Sequence, residues 1–544
     1  MTIFDWMVIA GYFAGLVVLA FVFGRGHHNL SDYYLAGRKI RWWQSGLSTM
    51  ATQLGAISFV SAPAFVALKE NGGLKWLCYE FGVPLGILFV IIWIIPRLHQ
   101  GRYVSIYEYL EQRFDRSTRA LVSMLFQLGR ALATAVSVLA GGLILSTALP
   151  LSTSEAILLI GAVTVIYDAL GGMKIVIISD VFQMSIIFAG ILICGIAALS
   201  LAGWGNAWGA LSPDRLRILD FSRWGTSSGG EYAFWPMTIG GIFLYASYYG
   251  CDQSQVQREL SVGTIRNVKR SLLFNAFSRF PIVLLYCLMG VFIGAVFANP
   301  EHVSSMAAQL DTDIKGIMNV LQDDPDRMVP MFILAFLPAG VVGLIFVSIM
   351  SALMSSLDSA INSLSAVTMQ DFYRTYFKPR ASERHYLIVS KGLTVFWGAF
   401  CVLVALNFAH AAEATRQTTI VLINAVGSLL YGPVLAAFFI GMATRSVSPI
   451  QVKVGVITGI IVNIGLWRLT DISWLWWNFI GFMVVFVIAV GLHSLRAFWG
   501  SYRRGVVLFR PSFGYAGRIE STYVSVIMFF FLIILFSYLI QSIV

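Results

Sequence analysis

Ala51-Thr52-Gln53-Leu54-Gly55-Ala56-Ile57-Ser58 interrupts an apolar run that covers about residues 44–70, and Pro63 follows within the same run. Glycine is a poor helix former and proline removes a ladder hydrogen bond, so the run reads as a helix broken midway. A second break, Gly250-Cys251-Asp252-Gln253, ends the run at about 233–256. These are the second and seventh apolar runs. Runs two to six and seven to eleven can therefore be read as two five-helix halves, each beginning with a broken helix. An odd number of helices inverts one half relative to the other, and matched breaks in inverted halves point to a binding site near the bilayer midplane. Glycine and proline also serve plain helix packing in membranes, so the equal spacing carries this reading rather than either break alone.

The rest of the chain agrees with a membrane setting. Of 544 residues, 58% are hydrophobic and 12% charged, too few charges for an ordinary water-facing surface. Apolar runs recur at about 4–24, 44–70, 75–98, 118–147, 153–170, 173–202, 233–256, 270–298, 339–368, 386–407, 416–441, 449–468, 473–492 and 520–542, giving about fourteen spans. The fold class is an all-α polytopic membrane protein. The net charge of +10 is not a nucleic-acid footprint, because the cations fall in every second loop. Arg25, Arg38, Lys39 and Arg41 follow the first run, and Arg97, Arg102, Arg113, Arg116 and Arg119 the third. Arg258, Arg266, Lys269 and Arg270 follow the seventh, then come Arg374, Lys378, Arg380 and Arg384, and finally Arg496, Arg503, Arg504, Arg510 and Arg518. These loops are expected in the cytoplasm. The alternate loops are poorer in cations, and one carries Asp311, Asp313, Asp323, Asp324 and Asp326, so both termini are expected outside an inner cell membrane.

The first run lacks a basic start and a small-residue cleavage site, so it reads as a retained helix rather than a signal peptide. Cys78, Cys194, Cys251, Cys287 and Cys401 lie in or beside apolar runs without metal-ligand spacing, and read as core thiols. No phosphate-binding loop is present to drive a pump, no enzymatic chemistry is required, and no obligatory protein partner is evident.

One further stretch is polar at bilayer depth: Ser351-Ala352-Leu353-Met354-Ser355-Ser356-Leu357-Asp358-Ser359-Ala360-Ile361-Asn362-Ser363. Burying such groups is expensive unless they are used. Ala352, Ser355 and Ser356 share one helix face at i, i+3 and i+4, offering one carbonyl and two hydroxyls to a dehydrated sodium ion. The same residues match a small-residue packing pattern, and this run alone does not choose between the two.

Tyr167-Asp168-Ala169-Leu170-Gly171-Gly172-Met173 with Ser179-Asp180-Val181-Phe182-Gln183, and Gly250-Cys251-Asp252-Gln253-Ser254-Gln255-Val256-Gln257-Arg258, occur in order with the first break and the serine run. Together these segments resemble the sodium:solute symporter family over nearly the whole chain. The resemblance implies a LeuT-like 5+5 inverted-repeat core, with sodium entry driving solute uptake by alternating access. It divides the chain into a first peripheral helix and loop (1–43), a first repeat (44–202), an extracytoplasmic loop (203–232), a second inverted repeat (233–441) and three peripheral helices (442–544). It places Na+ on the carbonyls of Ala51, Leu54 and Ala352 and the hydroxyls of Ser355 and Ser356. Asp180 matches an acid that some members place at a second sodium site, but alanine at 352 removes a hydroxyl there. Asp180 thus stands for a second sodium or an ion path.

By position, the small-molecule substrate would meet Gln53, Ser58, Tyr79, Glu80, Arg130, Asp252, Gln253, Ser359 and Asn424. Tyr79-Glu80 resembles a pair that bacterial sugar symporters use for hydroxyls. Arg130 matches the arginine with which sialic acid symporters hold a carboxylate, a task suited to a planar guanidinium. Alternatively, Arg130 neutralises Glu80 or Asp358. Arg279 stands where relatives carry lysine and is expected to balance charge. Asp358, an acid that sugar-transporting members generally lack, either reads a cationic group or pairs with an arginine. The segment Ser365-Ala366-Val367-Thr368-Met369-Gln370-Asp371-Phe372 leans toward the anion and vitamin branch. A carboxylate-bearing solute is the favoured substrate and a neutral sugar or polyol the alternative. A nutrient sensor on a transporter body, or a channel, are the rival classes.

Overall fold

The computed structural model describes residues 1–24, 27–147, 149–412, 419–498 and 521–543, and its regular elements there are helices, with one isolated bridge between Ile40 and Val262. Arg25, Arg503, Arg504, Arg510 and Arg518 lie outside the described residues, and the side chains of Asn424 and Arg496 lie outside the described side chains. Eleven helices among the described residues are long and apolar enough to cross a membrane, or twelve if one bent pair counts as a span. The sequence-based figure of about fourteen differs at two places. One is a continuous helical assignment of 50 residues, Thr153–Ala202, in which Gly172 departs from helical geometry at φ 54°, ψ −159°. Fifty helical residues would reach about 75 Å, far beyond a hydrocarbon core of about 30 Å. The other is the interrupted segment Pro236–Leu260, whose pieces are each too short to count.

The elements that build the centre are α1 (Ile3–Phe23), α2 (Trp42–Gln53), α3 (Ala56–Ala67), α4 (Arg116–Ser146), α5 (Thr153–Ala202), α6 (Gly241–Cys251), α7 (Gln253–Leu260), α8 (Ile265–Ala298), α9 (Val341–Val367) and α10 (Thr419–Ala443). The pair α2 and α3 is bent by 56° at Leu54 and Gly55. The last ladder bond of α2 runs from Leu54 N–H to the Met50 carbonyl at 3.1 Å, and that of α3 begins with Ser58 N–H on Gly55 at 2.9 Å. The bend thus releases the carbonyls of Ala51 to Leu54 from the helix ladder. Gly55 lies against α9: a Cβ there would stand 3.4 Å from Ser356 Oγ, an ordinary contact distance.

The second break falls at Asp252, extended at φ −90°, ψ 117° between α6 and α7. Its carboxylate caps α7, accepting from Ser254 N–H at 2.8 Å and Ser254 Oγ at 2.6 Å. Every residue of α7 is buried although five of its eight are Gln, Arg or Glu. Serine-bearing α9 lies at the centre, packed on α5, α4, α2 and α3, and is almost wholly buried.

Basic segments meet at one end of the molecule. Arg38 donates to the carbonyls of Leu260 and Tyr103, both at 3.0 Å, and Arg113 Nη2 to that of Thr444 at 2.8 Å. Arg119 grips Asp371 at 2.5 and 2.9 Å. Arg258 departs from the expectation. It is not a loop cation but, among the described residues, the most voluminous fully buried side chain, because α7 folds back into the bundle instead of leaving it. All five cysteines are free and buried.

Candidate functional site

At the first break, α2 and α9 meet through oxygen. Ser355 Oγ donates to the carbonyls of Ala51 at 3.0 Å and Ala352 at 3.1 Å. Ser356 Oγ lies 3.1 Å from the Thr52 carbonyl and 3.3 Å from that of Ala352. Four of the five sequence-named ion ligands, Ala51, Ala352, Ser355 and Ser356, are therefore joined directly. Leu54 sits at the bend itself and is buried, while the Thr52 carbonyl, not foreseen, takes a place in the cluster. Neutral oxygens gathered at a helix break suit a monovalent cation better than a transition metal.

Behind these oxygens lies a charged network. Arg258 Nη2 meets Asp180 Oδ2 at 2.9 Å, and its Nε donates to Ser48 Oγ at 2.7 Å. Ser48 Oγ in turn donates to Asp180 Oδ2 at 2.5 Å. Arg258 also donates to Ser359 Oγ and to the Ser254 carbonyl. Ser359 Oγ stands 3.0 Å from Thr52 Oγ1 and 3.1 Å from Asp358 Oδ1, so it belongs to this network and not to a solute cavity. Asp358 does not pair with an arginine; it accepts the Tyr167 hydroxyl at 2.5 Å. Asp168 accepts from Asn362 at 3.1 Å. Three buried carboxyl groups, Asp168, Asp180 and Asp358, thus interact around one guanidinium, and Asp180 Oδ1 has no partner.

A cavity of about 170 Å³ opens beside the ion cluster, and Thr52, Gly55 and Ser356 form part of its wall. Trp76, Tyr79, Tyr245, Tyr248, Tyr286 and Tyr431 make it aromatic. Gln53, Ser58, Tyr79, Glu80 and Arg130, five of the residues named from the sequence for the solute, line it. Arg279 lines it too and is bonded to Glu80, Nε to Oε2 at 2.9 Å and Nη2 to Oε1 at 3.3 Å. Tyr245 adds a hydroxyl to Glu80 Oε1 at 3.2 Å. Arg130 pairs with neither Glu80 nor Asp358, since Arg279 and Tyr167 hold those acids; its partner is Asp252, Nη1 to Oδ2 at 3.6 Å. Gln253 is directed elsewhere, to Ile106 N–H at 2.9 Å and the Val104 carbonyl at 2.8 Å. Asp252 lies beyond the cavity wall, and Asn424 lies outside the described side chains.

Three buried donors on this wall have no partner: Gln53 Nε2, Arg130 Nε and Arg279 Nη1. Gln53 Oε1, by contrast, takes the Tyr249 hydroxyl at 2.9 Å. Thr52, Tyr249 and Arg258 escaped the sequence reading. For Arg258, the signal was its place in an unusually polar segment directly after the break.

Comparisons with known proteins bear on this arrangement. The chain is 27% identical to the human sodium/iodide cotransporter over 81% of its own length, spanning 65% of that protein. It is 29% identical to the sodium-dependent multivitamin transporter of Oryctolagus cuniculus, over 81% of this chain and 66% of the other. Human sodium-coupled monocarboxylate transporter 1 is 29% identical over 85% of this chain and 73% of its own. The solved outward-open structure of a Na+-coupled sialic acid symporter superposes with a TM-score of 0.77 at 24% identity, covering 91% of this chain and 98% of that one. That likeness shows the LeuT-like fold with its inverted five-helix halves. The description of the sodium:solute symporter family matches residues 33–459, and the chain belongs to that family.

Proposed function

We propose that the protein is a sodium-coupled symporter, not an enzyme, which imports a small carboxylate-bearing solute by alternating access. The observation that carries the solute class is the set of unpartnered buried donors, Gln53 Nε2, Arg130 Nε and Arg279 Nη1, on the wall of one cavity. Buried donors are costly when unmatched, and a carboxylate supplies acceptor lone pairs without bringing donors of its own. Iodide and monocarboxylate, in the names of two relatives, are also anions.

Sodium is held by the carbonyls of Ala51, Leu54 and Ala352 and the hydroxyls of Ser355 and Ser356, with the Thr52 carbonyl adjoining. Ser356 and Thr52 belong to both the ion cluster and the cavity wall, so an ion that fixes them preorganises the wall, which is the linkage needed for coupling. Asp180 serves the ion's path or a second sodium. Residues 44–202 and 233–441 act as the two inverted repeats, and the basic segments, by the positive-inside rule, support a cytoplasmic location for their end in an inner cell membrane, with both termini outside.

The aromatic walls and Glu80 favour a second reading, a sugar or polyol. A thermal-shift screen of lactate, pyruvate, benzoate and gluconate against glucose and mannitol, with sodium or potassium, separates the two. Sodium-dependent stabilisation by carboxylates is expected, followed by sodium-gradient uptake in proteoliposomes. Stabilisation by the neutral solutes alone refutes the carboxylate, and saturable binding without accumulation refutes transport.

A further inference from the structure

A smaller cavity of about 40 Å³ adjoins the first. Arg130 and Tyr431 line both. Along α4 the order is informative: Ala133, Thr134 and Ser137 line the larger cavity, whereas Leu125, Phe126 and Gly129 line the smaller. Helix α4 begins at Arg116, in a basic segment, so the smaller cavity is displaced from the larger toward the end where the basic segments interlock. Along α6, Leu244 and Tyr245 line the larger cavity and Cys251 the smaller, with Tyr248 on the larger and Ser247 on the smaller at the crossover, and Asp252, just past the helix end, lines the smaller. The two cavities are stacked, and the Arg130 to Asp252 contact lies at their border.

That contact is incomplete. At 3.6 Å it exceeds the 2.7–3.2 Å of an N–H···O hydrogen bond, although both side chains are largely buried, and Arg130 Nε has no partner. Asp252 Oδ1 is committed to capping α7, leaving Oδ2 as the replaceable half. A carboxylate that makes two N–H···O bonds to the guanidinium outcompetes one that makes none.

We propose that the Arg130–Asp252 pair is the partition between these cavities, and that the smaller cavity is the next station of an anionic solute once its carboxylate has displaced Asp252 from the guanidinium. This rests on the carboxylate reading above for its trigger, not for the partition itself. Release of Oδ2 frees the break between α6 and α7 to move, and α7 carries Arg258, which reaches Asp180 and Ser359 in the ion network. One displacement thereby links solute, break and ion region.

Cys251, a native buried thiol lining the smaller cavity, reports the opening. The experiment measures N-ethylmaleimide modification of Cys251 by peptide mass spectrometry in the full chain in sodium, with the other four cysteines as internal references. Asp252→Asn and Asp252→Ser both keep a capping oxygen while removing the charge. Each is expected to raise the Cys251 rate about tenfold, the factor that corresponds to about 1.4 kcal/mol, with the reference cysteines unmoved. In the unsubstituted chain, lactate or pyruvate with sodium is expected to raise it likewise. Rates unchanged in both variants overturn the partition, whatever the solute screen gives. Faster modification in the variants, with no carboxylate stabilising the protein, upholds the partition and removes only the carboxylate trigger.

Discussion

Ser355 and Ser356 hold three backbone carbonyls between them, those of Ala51, Thr52 and Ala352. Replacing either by alanine removes one oxygen from the cluster while leaving the helix intact, since alanine is the better helix former. Each change is expected to weaken apparent sodium affinity about tenfold, roughly 1.4 kcal/mol, in a sodium titration of solute binding; an unmoved titration would remove these hydroxyls from the ion site. The Glu80–Arg279 pair makes a different case. Both side chains are buried, so Glu80→Gln strands a guanidinium and is expected to cost about 3–5 kcal/mol of stability. The double substitution Glu80→Leu with Arg279→Met leaves no stranded charge and should recover most of that loss. Uptake should stay abolished in the double variant if the pair meets the solute; full uptake would make it a structural bridge only.

Two elements are held by single residues. In α5, Gly172 adopts φ 54°, ψ −159°, a region that side chains avoid, and a Cβ there would lie 2.6 Å from the Tyr33 carbonyl. Gly172→Ala is expected to destabilise by about 1–3 kcal/mol from backbone strain, plus the displacement of Tyr33. Thermal unfolding in detergent measures it, and an unchanged midpoint would show the break to be soft. In α1, Asp5 Oδ1 accepts from Gly340 N–H at 2.7 Å and Gly343 N–H at 2.8 Å, capping the start of α9 from another helix. Asp5→Ala is expected to lose about 1–2 kcal/mol, whereas Asp5→Asn retains most of the cap. Equal losses in the two variants would mean that charge, not capping, is what α9 draws from α1.

Over the whole molecule, an ion bound where α2 and α9 meet joins the two proposed halves, so sodium should stabilise the folded protein globally. At a concentration 100 times its dissociation constant the gain is about 2.7 kcal/mol. The unfolding midpoint should therefore rise with sodium chloride and not with potassium or choline chloride, and the rise should vanish in a Ser355→Ala, Ser356→Ala double variant. A rise of equal size in all three salts would contradict an ion-specific site.

The sequence by itself determined what depends on neighbours along the chain. Apolar length marked the helices, Gly55 and the Asp252 segment marked the breaks, and i, i+3, i+4 spacing put Ala352, Ser355 and Ser356 on one face. Motif order along the chain was enough to place it in its family. Only the tertiary structure decided which charges meet. Arg258 finds Asp180 across 78 residues, and Arg279 finds Glu80 across 199. Arg130 faces Asp252 rather than Glu80 or Asp358, the acids named as its alternative partners. Local spacing fixes which face of a helix a charge occupies, but which helix is packed against that face is settled by packing of the whole bundle, and in a low-dielectric interior that neighbour decides whether the charge is a structural bridge, a donor for a solute or a gate.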